Sequence, residues 1–243
     1  MTDDNQLRRA SLIKGCSSML PFTVTAFTNG VLGGVLAIAA GMSPAASLFM
    51  AMALNSGSAQ FVVTKMLQEG APFFTIAFAV LIVSLRMLIY ATEMRSYVKG
   101  APLRWRVWLG FGLIDAIFFT VKDLYGNKGN HGRFDVLWFC MGSSLTMLSI
   151  WMVATALGVG LGKMLNEYIV FGLDFPILAM FATMLIGAVS RFRHVVAVSL
   201  AGVSAIYFRD LPYNAGLMVS AFIGASAGVA FQYFQTSRVA TDA

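Results

Sequence analysis

An all-α, polytopic integral membrane bundle is the fold class this sequence predicts, and three observations predict it. Hydrophobic residues fill 58% of the 243 positions and charged residues only 12%, with a mean hydropathy of +0.76, beyond what a soluble core requires. The apolar residues gather in runs close to the roughly 20 residues that a helix needs to cross the hydrocarbon. Strand alternation is absent from those runs, and a backbone in lipid must satisfy its own polar groups, which leaves the helix as the spanning element.

Seven runs fall at about Ser17–Ala40, Ala46–Leu67, Pro72–Ala91, Val107–Val121, Val136–Leu161, Tyr168–Val189 and Ala215–Phe234. An eighth, Val195–Tyr207, lies between Arg191, Arg193 and His194 on one side and Arg209 and Asp210 on the other. It is short enough to be a tilted span, a half-crossing or an interfacial segment. The bundle therefore has seven or eight transmembrane segments in one transmembrane domain over 1–243, with a polar N-terminal segment at 1–16 and a polar tail at 235–243. The stretch Lys122 to Asp135 is rich in Gly and Asn and reads as a surface loop.

The N-terminal MTDDNQLRRASLIKG mixes acids with bases and has no short apolar region followed by a small-residue cleavage site, so a removed signal peptide is not expected. A formal net charge of +6 suggests orientation by the cytoplasmic bias of Lys and Arg, not nucleic acid, because no basic stripe with interleaved aromatics occurs on a soluble surface. Eight crossings with a cytoplasmic N-terminus put Arg8, Arg9, Lys14, Lys65, Lys122, Lys128, Arg133, Arg191, Arg193 and Arg238 inside. Arg95, Lys99, Arg104, Arg106, Lys163 and Arg209 then lie outside, and the Arg95–Arg106 cluster runs against the bias.

Three ionisable residues sit at membrane depth: Arg86, Asp115 and Asp174. A charge at mid-bilayer costs roughly 2.5–3.5 kcal/mol on insertion scales, so such residues face a protein interior or wet cavity and mark an ion or substrate path. Arg86 is either a clamp for a substrate carboxylate or the partner of Asp115 in the next span, and pairing is favoured because buried charges persist mainly in pairs. Asp115 and Asp174 are the carboxylates deep in apolar runs and the candidates to carry a coupling proton, since burial disfavours their charged form.

Two spans are predicted to break. In the second, Asn55, Ser56, Gly57, Ser58 and Gln60 interrupt an apolar helix, and no single rotation hides them all from lipid. Ser56 or Ser58 then caps a half-helix running on through Phe61 to Leu67. In the sixth, Gly172 permits unusual backbone, Asp174 is a good N-cap, and Pro176 suits only a helix's first turn. Interrupted helices in both halves point to a midplane binding site, where half-helix N-termini suit a carboxylate and freed carbonyls or carboxylates suit an ammonium. A zwitterion meets both; the competing role for Asn55, Ser56, Ser58 and Gln60 is interhelical hydrogen bonding alone.

Small-residue ladders at Gly30 and Gly34, at Gly33, Ala37 and Gly41, at Gly158 and Gly162, and at Gly216, Ser220, Gly224 and Gly228 predict close helix packing. Cys16 and Cys140 read as structural thiols and His131 and His194 as isolated, so neither a metal site, a cofactor nor an enzyme's nucleophile–base set is expected.

At these residues the chain resembles the AzlC family of branched-chain amino acid exporters, the large subunit of a two-component permease. The resemblance rests on Gly57, Ser58, Ala59, Gln60 and Phe61 in the second span, Arg86 in SLRMLIY, Asp115 in LIDAIFF, and Gly172 to Phe175 in the sixth. The chain departs from it at Met87 and Ala116, where members often place His and Glu, which weakens any proton relay through those neighbours. The resemblance implies export of valine, leucine, isoleucine or methionine across the bacterial plasma membrane, driven by an ion gradient. It also implies a small hydrophobic AzlD-type membrane subunit as partner, and leaves room for a homo-oligomer. A channel or permease for another small solute is the alternative, and a scaffold whose polar residues only hold a partner is a third.

Overall fold

The computed structural model describes residues 2–126, 133–164, 192–208 and 215–241, together with 182 and 189. Among them the regular structure is wholly helical: α1 (Thr2–Ala39), α2 (Pro44–Leu54), α3 (Gly57–Gln68), α4 (Phe73–Met94), α5 (Leu103–Gly112), α6 (Asp115–Tyr125), α7 (Arg133–Gly162), α8 (Phe192–Tyr207) and α9 (Ala215–Thr241). The sixth predicted span, Tyr168–Val189, with Gly172 and Asp174, lies outside the described residues. The helices form two compact units, Met1–Thr64 with Val80–Val170 and Lys65–Ala79 with Phe171–Ala243.

In the first unit α7 is the hub, and α1, α2, α5 and α6 all pack on it. The α1–α7 seam depends on missing side chains. A Cβ at Gly30 would lie 2.7 Å from that of Ala154, and one at Gly158 would run into the backbone of Val31. Gly142 meets Leu12 and Gly162 meets Val35, so both chains advance in the same direction and the two helices are parallel. Hydroxyls fasten the seam where backbones touch: Ser143 donates to the Gly15 carbonyl at 3.1 Å, and Ser11 to Asp135 at 3.3 Å.

Length fixes how these helices cross. α1, α4 and α7 each carry a stretch long and apolar enough to span a bilayer. α2 and α3, with 11 and 12 residues, rise about 16 and 18 Å, each about half of the roughly 30 Å hydrocarbon. α5 and α6, with 10 and 11 residues, are half-length as well. α5 and α6 do not make a crossing together: Trp105 near the start of α5 packs against Trp138 near the start of α7, and Tyr125 at the end of α6 against Phe139, so the pair enters and leaves on the side where α7 begins. Glu93 at the end of α4 pairs with Lys122 of α6 at 3.0 Å, and Lys14 of α1 stands over the Tyr125 ring. α4 therefore ends on the side where α1 and α7 begin and is the crossing that returns the chain there, as the parallel course of α1 and α7 demands.

Among the described residues the predicted spans fall on these elements, the second broken as expected and the fourth needing correction. The fourth, Val107–Val121, is not continuous: α5 ends at Gly112 and α6 begins at Asp115, with Leu113 and Ile114 in extended conformation between them. Glycines at 110 and 112 weaken the end of α5, and Asp115 favours the positive N-terminal end of a new helix over a helix interior. The predicted loop at Lys122 to Asp135 is also shorter than expected, since α6 continues to Tyr125 and α7 starts at Arg133.

In the second unit α8 packs on α9. A Cβ at Gly224 would lie 2.7 Å from that of Ala201, and one at Gly228 3.2 Å from that of Ala197, so this small-residue stripe acts as the ladder predicted. The doubtful segment Val195–Tyr207 is a helix of 16 residues, about 24 Å long and short of a full perpendicular crossing.

The seam yields a paired test. Gly158→Ala drives a methyl into the backbone of Val31, which cannot yield as a side chain can, whereas a Cβ at Gly160 meets nothing within 4 Å. Gly158→Ala is expected to destabilise the purified protein by about 1–3 kcal/mol and Gly160→Ala to leave it unchanged, read from unfolding in mixed detergent. Equal stability of the two variants would show that the seam does not hold the unit together.

Candidate functional site

Two helix breaks meet in the first unit. The first lies between α2 and α3, where Asn55 adopts a left-handed conformation with φ of 41°, the single non-glycine residue with positive φ among those described. Asn tolerates this region better than most residues because its short amide bonds locally. α2 itself starts from Ser43, whose side chain accepts from the Ala46 N–H, followed by Pro44. It ends where the Asn55 N–H reaches the Ala51 carbonyl at 3.3 Å. α3 then restarts from Ser56, whose carbonyl accepts from the Gln60 N–H at 3.0 Å. That leaves the N–H groups of Gly57, Ser58 and Ala59 without intrahelical acceptors.

The second break, at Leu113–Ile114, frees the last carbonyls of α5. Side chains from elsewhere take them up: Asn55 Nδ2 donates to the Phe111 carbonyl at 3.0 Å, and the Ser144 hydroxyl of α7 donates to the Gly112 carbonyl at 3.1 Å. The first break is thereby bonded to the second. Both interruptions lie one half-length helix in from the interface, at membrane depth.

Arg86 spans the pair. One guanidinium nitrogen donates to Ser58 Oγ at 2.9 Å, in the first turn of α3. Another lies 3.1 Å from Asp115 Oδ2, the first residue of α6. The ion pair expected between Arg86 and Asp115 is present, and the Arg86–Ser58 contact adds a link that sequence spacing alone did not suggest. Ser56 Oγ and Ser58 Oγ stand 3.3 Å apart and continue the chain of polar groups.

Beside this chain several polar groups are buried without partners among the described residues. Gln60 is fully buried, and neither atom of its amide makes a hydrogen bond; the amide packs where a Cβ at Gly33 would be, 3.1 Å from that position. Thr155 Oγ1, Trp151 Nε1 and Asp115 Oδ1 are in the same condition. Each such group costs about 1–3 kcal/mol if left unmet, so a cluster of them marks a place that receives a polar ligand or water. Gly57 is small because the indole of Trp151 lies against it, 2.8 Å from where a Cβ would stand.

Of the predicted site residues, Asn55, Ser56, Gly57, Ser58, Gln60, Arg86 and Asp115 are thus brought together around two breaks. Gly172 and Asp174, the predicted second break, lie outside the described residues. Trp151, Thr155 and Ser144 were not expected. Two polar hydroxyls on the small-residue face of a long apolar helix were the available signal. No three His, Cys, Asp or Glu side chains gather as a metal site among the described residues.

If the Arg86–Asp115 bridge ties the two breaks, its members are energetically coupled. The variants Arg86→Gln and Asp115→Asn, taken singly and together through unfolding in mixed detergent, are expected to give a coupling energy of about 0.5–3 kcal/mol. Strictly additive losses would show that the bridge carries nothing.

Comparison with known proteins bears on the same residues. The AzlC protein family model matches residues 21–165, which contain both breaks and Arg86. The chain is 27% identical over 189 residues to the inner membrane protein YgaZ of Escherichia coli, covering 75% of each. It is 26% identical to an uncharacterized membrane protein of Archaeoglobus fulgidus, over 89% of this chain and 91% of that one. A Helicobacter pylori membrane protein is 26% identical over 70% of this chain and 73% of its own length. No solved structure matches. The match over residues 21–165, more than half of the sequence, leads to one conclusion: this chain belongs to the AzlC family of membrane proteins.

Proposed function

We propose that the protein is a secondary transporter that exports branched-chain amino acids, namely valine, leucine and isoleucine, with methionine as a further substrate. It works in the bacterial plasma membrane, with its N-terminus cytoplasmic, as the large subunit beside a small hydrophobic AzlD-type subunit. The observation that carries the reading is Arg86 bridging the first turns of α3 and α6 across two breaks at membrane depth, beside a buried Gln60 amide without a partner among the described residues. Irregular backbone at that depth is tolerated where it lines a cavity or a binding site.

The charges around the breaks favour a zwitterion. α3 has no acid in its first turn, so the partial positive charge of its N-terminus and the N–H groups of Gly57, Ser58 and Ala59 are available to a carboxylate. α6 has its positive end balanced by its own Asp115, whose Oδ1 stays without a partner among the described residues and can accept from an ammonium. The indole of Trp151 against Gly57 supplies an apolar wall for a branched side chain. Movement of the ligand between Asp115 and Arg86 loosens the bridge between α3 and α6, which gives a route from binding to alternating access. Asp115 and Asp174 are the carboxylates through which proton coupling would run.

Counterflow of labelled valine, leucine and methionine in proteoliposomes, with and without the small subunit, tests the reading. Saturable exchange is expected, and Gln60→Leu is expected to weaken apparent affinity about tenfold, the cost of one hydrogen bond to a charged group. Unsaturable flux insensitive to Gln60→Leu would overturn it in favour of a channel. Asp115→Asn is expected to weaken apparent affinity in counterflow and to lose stimulation by an imposed proton gradient, and unchanged stimulation would remove Asp115 from the coupling path.

A further inference from the structure

A cavity of about 380 Å³ opens in the first unit where the end of α4, the turn after it, α5, α6 and α7 come together. Its walls are apolar at depth, with Leu113 and Ile117 among them, and its lining includes three cations, Arg95, Lys99 and Arg106. The three are exposed side chains, and among the described residues that line the cavity none is acidic.

The depth of these cations is set by the fold. α4 is a 22-residue apolar helix ending at Met94, so Arg95 and Lys99 follow a full crossing and stand at the membrane–water interface. Trp105 packs edge-on against Trp138 beside them, with ring centroids 5.2 Å apart, as aromatic residues do at headgroup level. Glu93 beside these cations pairs with Lys122 of α6, and Tyr125 of α6 lies under Lys14 of α1, so this end lies on the side where α1 and α7 begin. With a cytoplasmic N-terminus the cluster faces the cytoplasmic leaflet, in keeping with the Lys and Arg bias and not against it as eight crossings would have it, and there anionic headgroups attract such cations.

We propose that this cavity binds the headgroup phosphate of an anionic phospholipid, with the first methylenes of the lipid against Leu113 and Ile117. Basic pockets between transmembrane helices recognise such headgroups, and an apolar interior below a cationic mouth matches an amphiphile of net negative charge. A zwitterionic amino acid fits worse, because its ammonium would lie among cations with no carboxylate in the described lining. The cavity reaches the second break at Leu113 and Ser144, but its cationic mouth lies at the interface, and its test does not depend on what the protein transports.

The test uses the full-length protein in detergent and titrates phosphatidylglycerol, phosphatidylcholine and leucine, following retention by native mass spectrometry. One phosphatidylglycerol is expected to be retained, in a salt-sensitive manner, and phosphatidylcholine is not. Arg95→Gln with Arg106→Gln is expected to weaken retention about thirtyfold, whereas Arg104→Gln, outside the lining, leaves it unchanged. Gly110 lines the cavity and a Cβ there meets nothing within 4 Å, so Gly110→Leu fills the space without removing a charge and is expected to displace the lipid. Equal retention of the two lipids, an unaffected Arg95→Gln/Arg106→Gln variant, or displacement of phosphatidylglycerol by leucine would each overturn the proposal.

Discussion

In hydrocarbon a helix cannot simply stop, because every carbonyl and N–H released at its end has no water to turn to. The first unit depends on how that constraint is met at two places at once. The carbonyls left over at the end of α5 are taken by Asn55 from the other break and by Ser144 from the hub helix. Neither interruption is therefore independent of the other, and the backbone irregularity that makes a site possible is also what cross-links α2, α5 and α7. Arg86 adds charge to the same arrangement, since its two contacts hold the starts of α3 and α6 to one side chain of α4.

The rigid part of the unit has a different origin. α1 and α7 approach through glycine and alanine, so that backbone lies on backbone along their common length. Dispersion over such a seam is strong because atoms are dense, and hydrophobic driving force between helices is absent in lipid. Gly33 belongs to the same stretch of α1 yet faces Gln60, so the helix that packs against α7 also lies against the buried Gln60 amide. Packing and site share residues, and a substitution in one is felt in the other.

Much of this was legible in the sequence, and the reasons differ by element. The break at Asn55–Ser56 announces itself because polar and small residues crowd a stretch that lipid would otherwise surround. Arg86 and Asp115 could be paired from adjacency of spans. The break at Leu113–Ile114 is fainter, because its two residues are as apolar as any helix interior, only Gly110, Gly112 and Asp115 beside it hint at an interruption, and Ser144 and Asn55, which complete it, arrive from distant parts of the chain. Trp151 and Thr155 were hidden for a related reason: on α7 they look like core, and only the positions of Gly57 and the α1 seam reveal that their polar atoms are enclosed without a partner among the described residues.

The parallel course of α1 and α7 has an electrostatic corollary. Antiparallel neighbours cancel their macrodipoles, but two helices running together place both partial positive ends on one face of the membrane and both negative ends on the other. The sequence supplies an acid at the start of α7: Asp135 falls in its first turn, and Ser11 of α1 donates to it. Repulsion between the aligned termini is offset at its source, and the seam can be as close as its glycines allow.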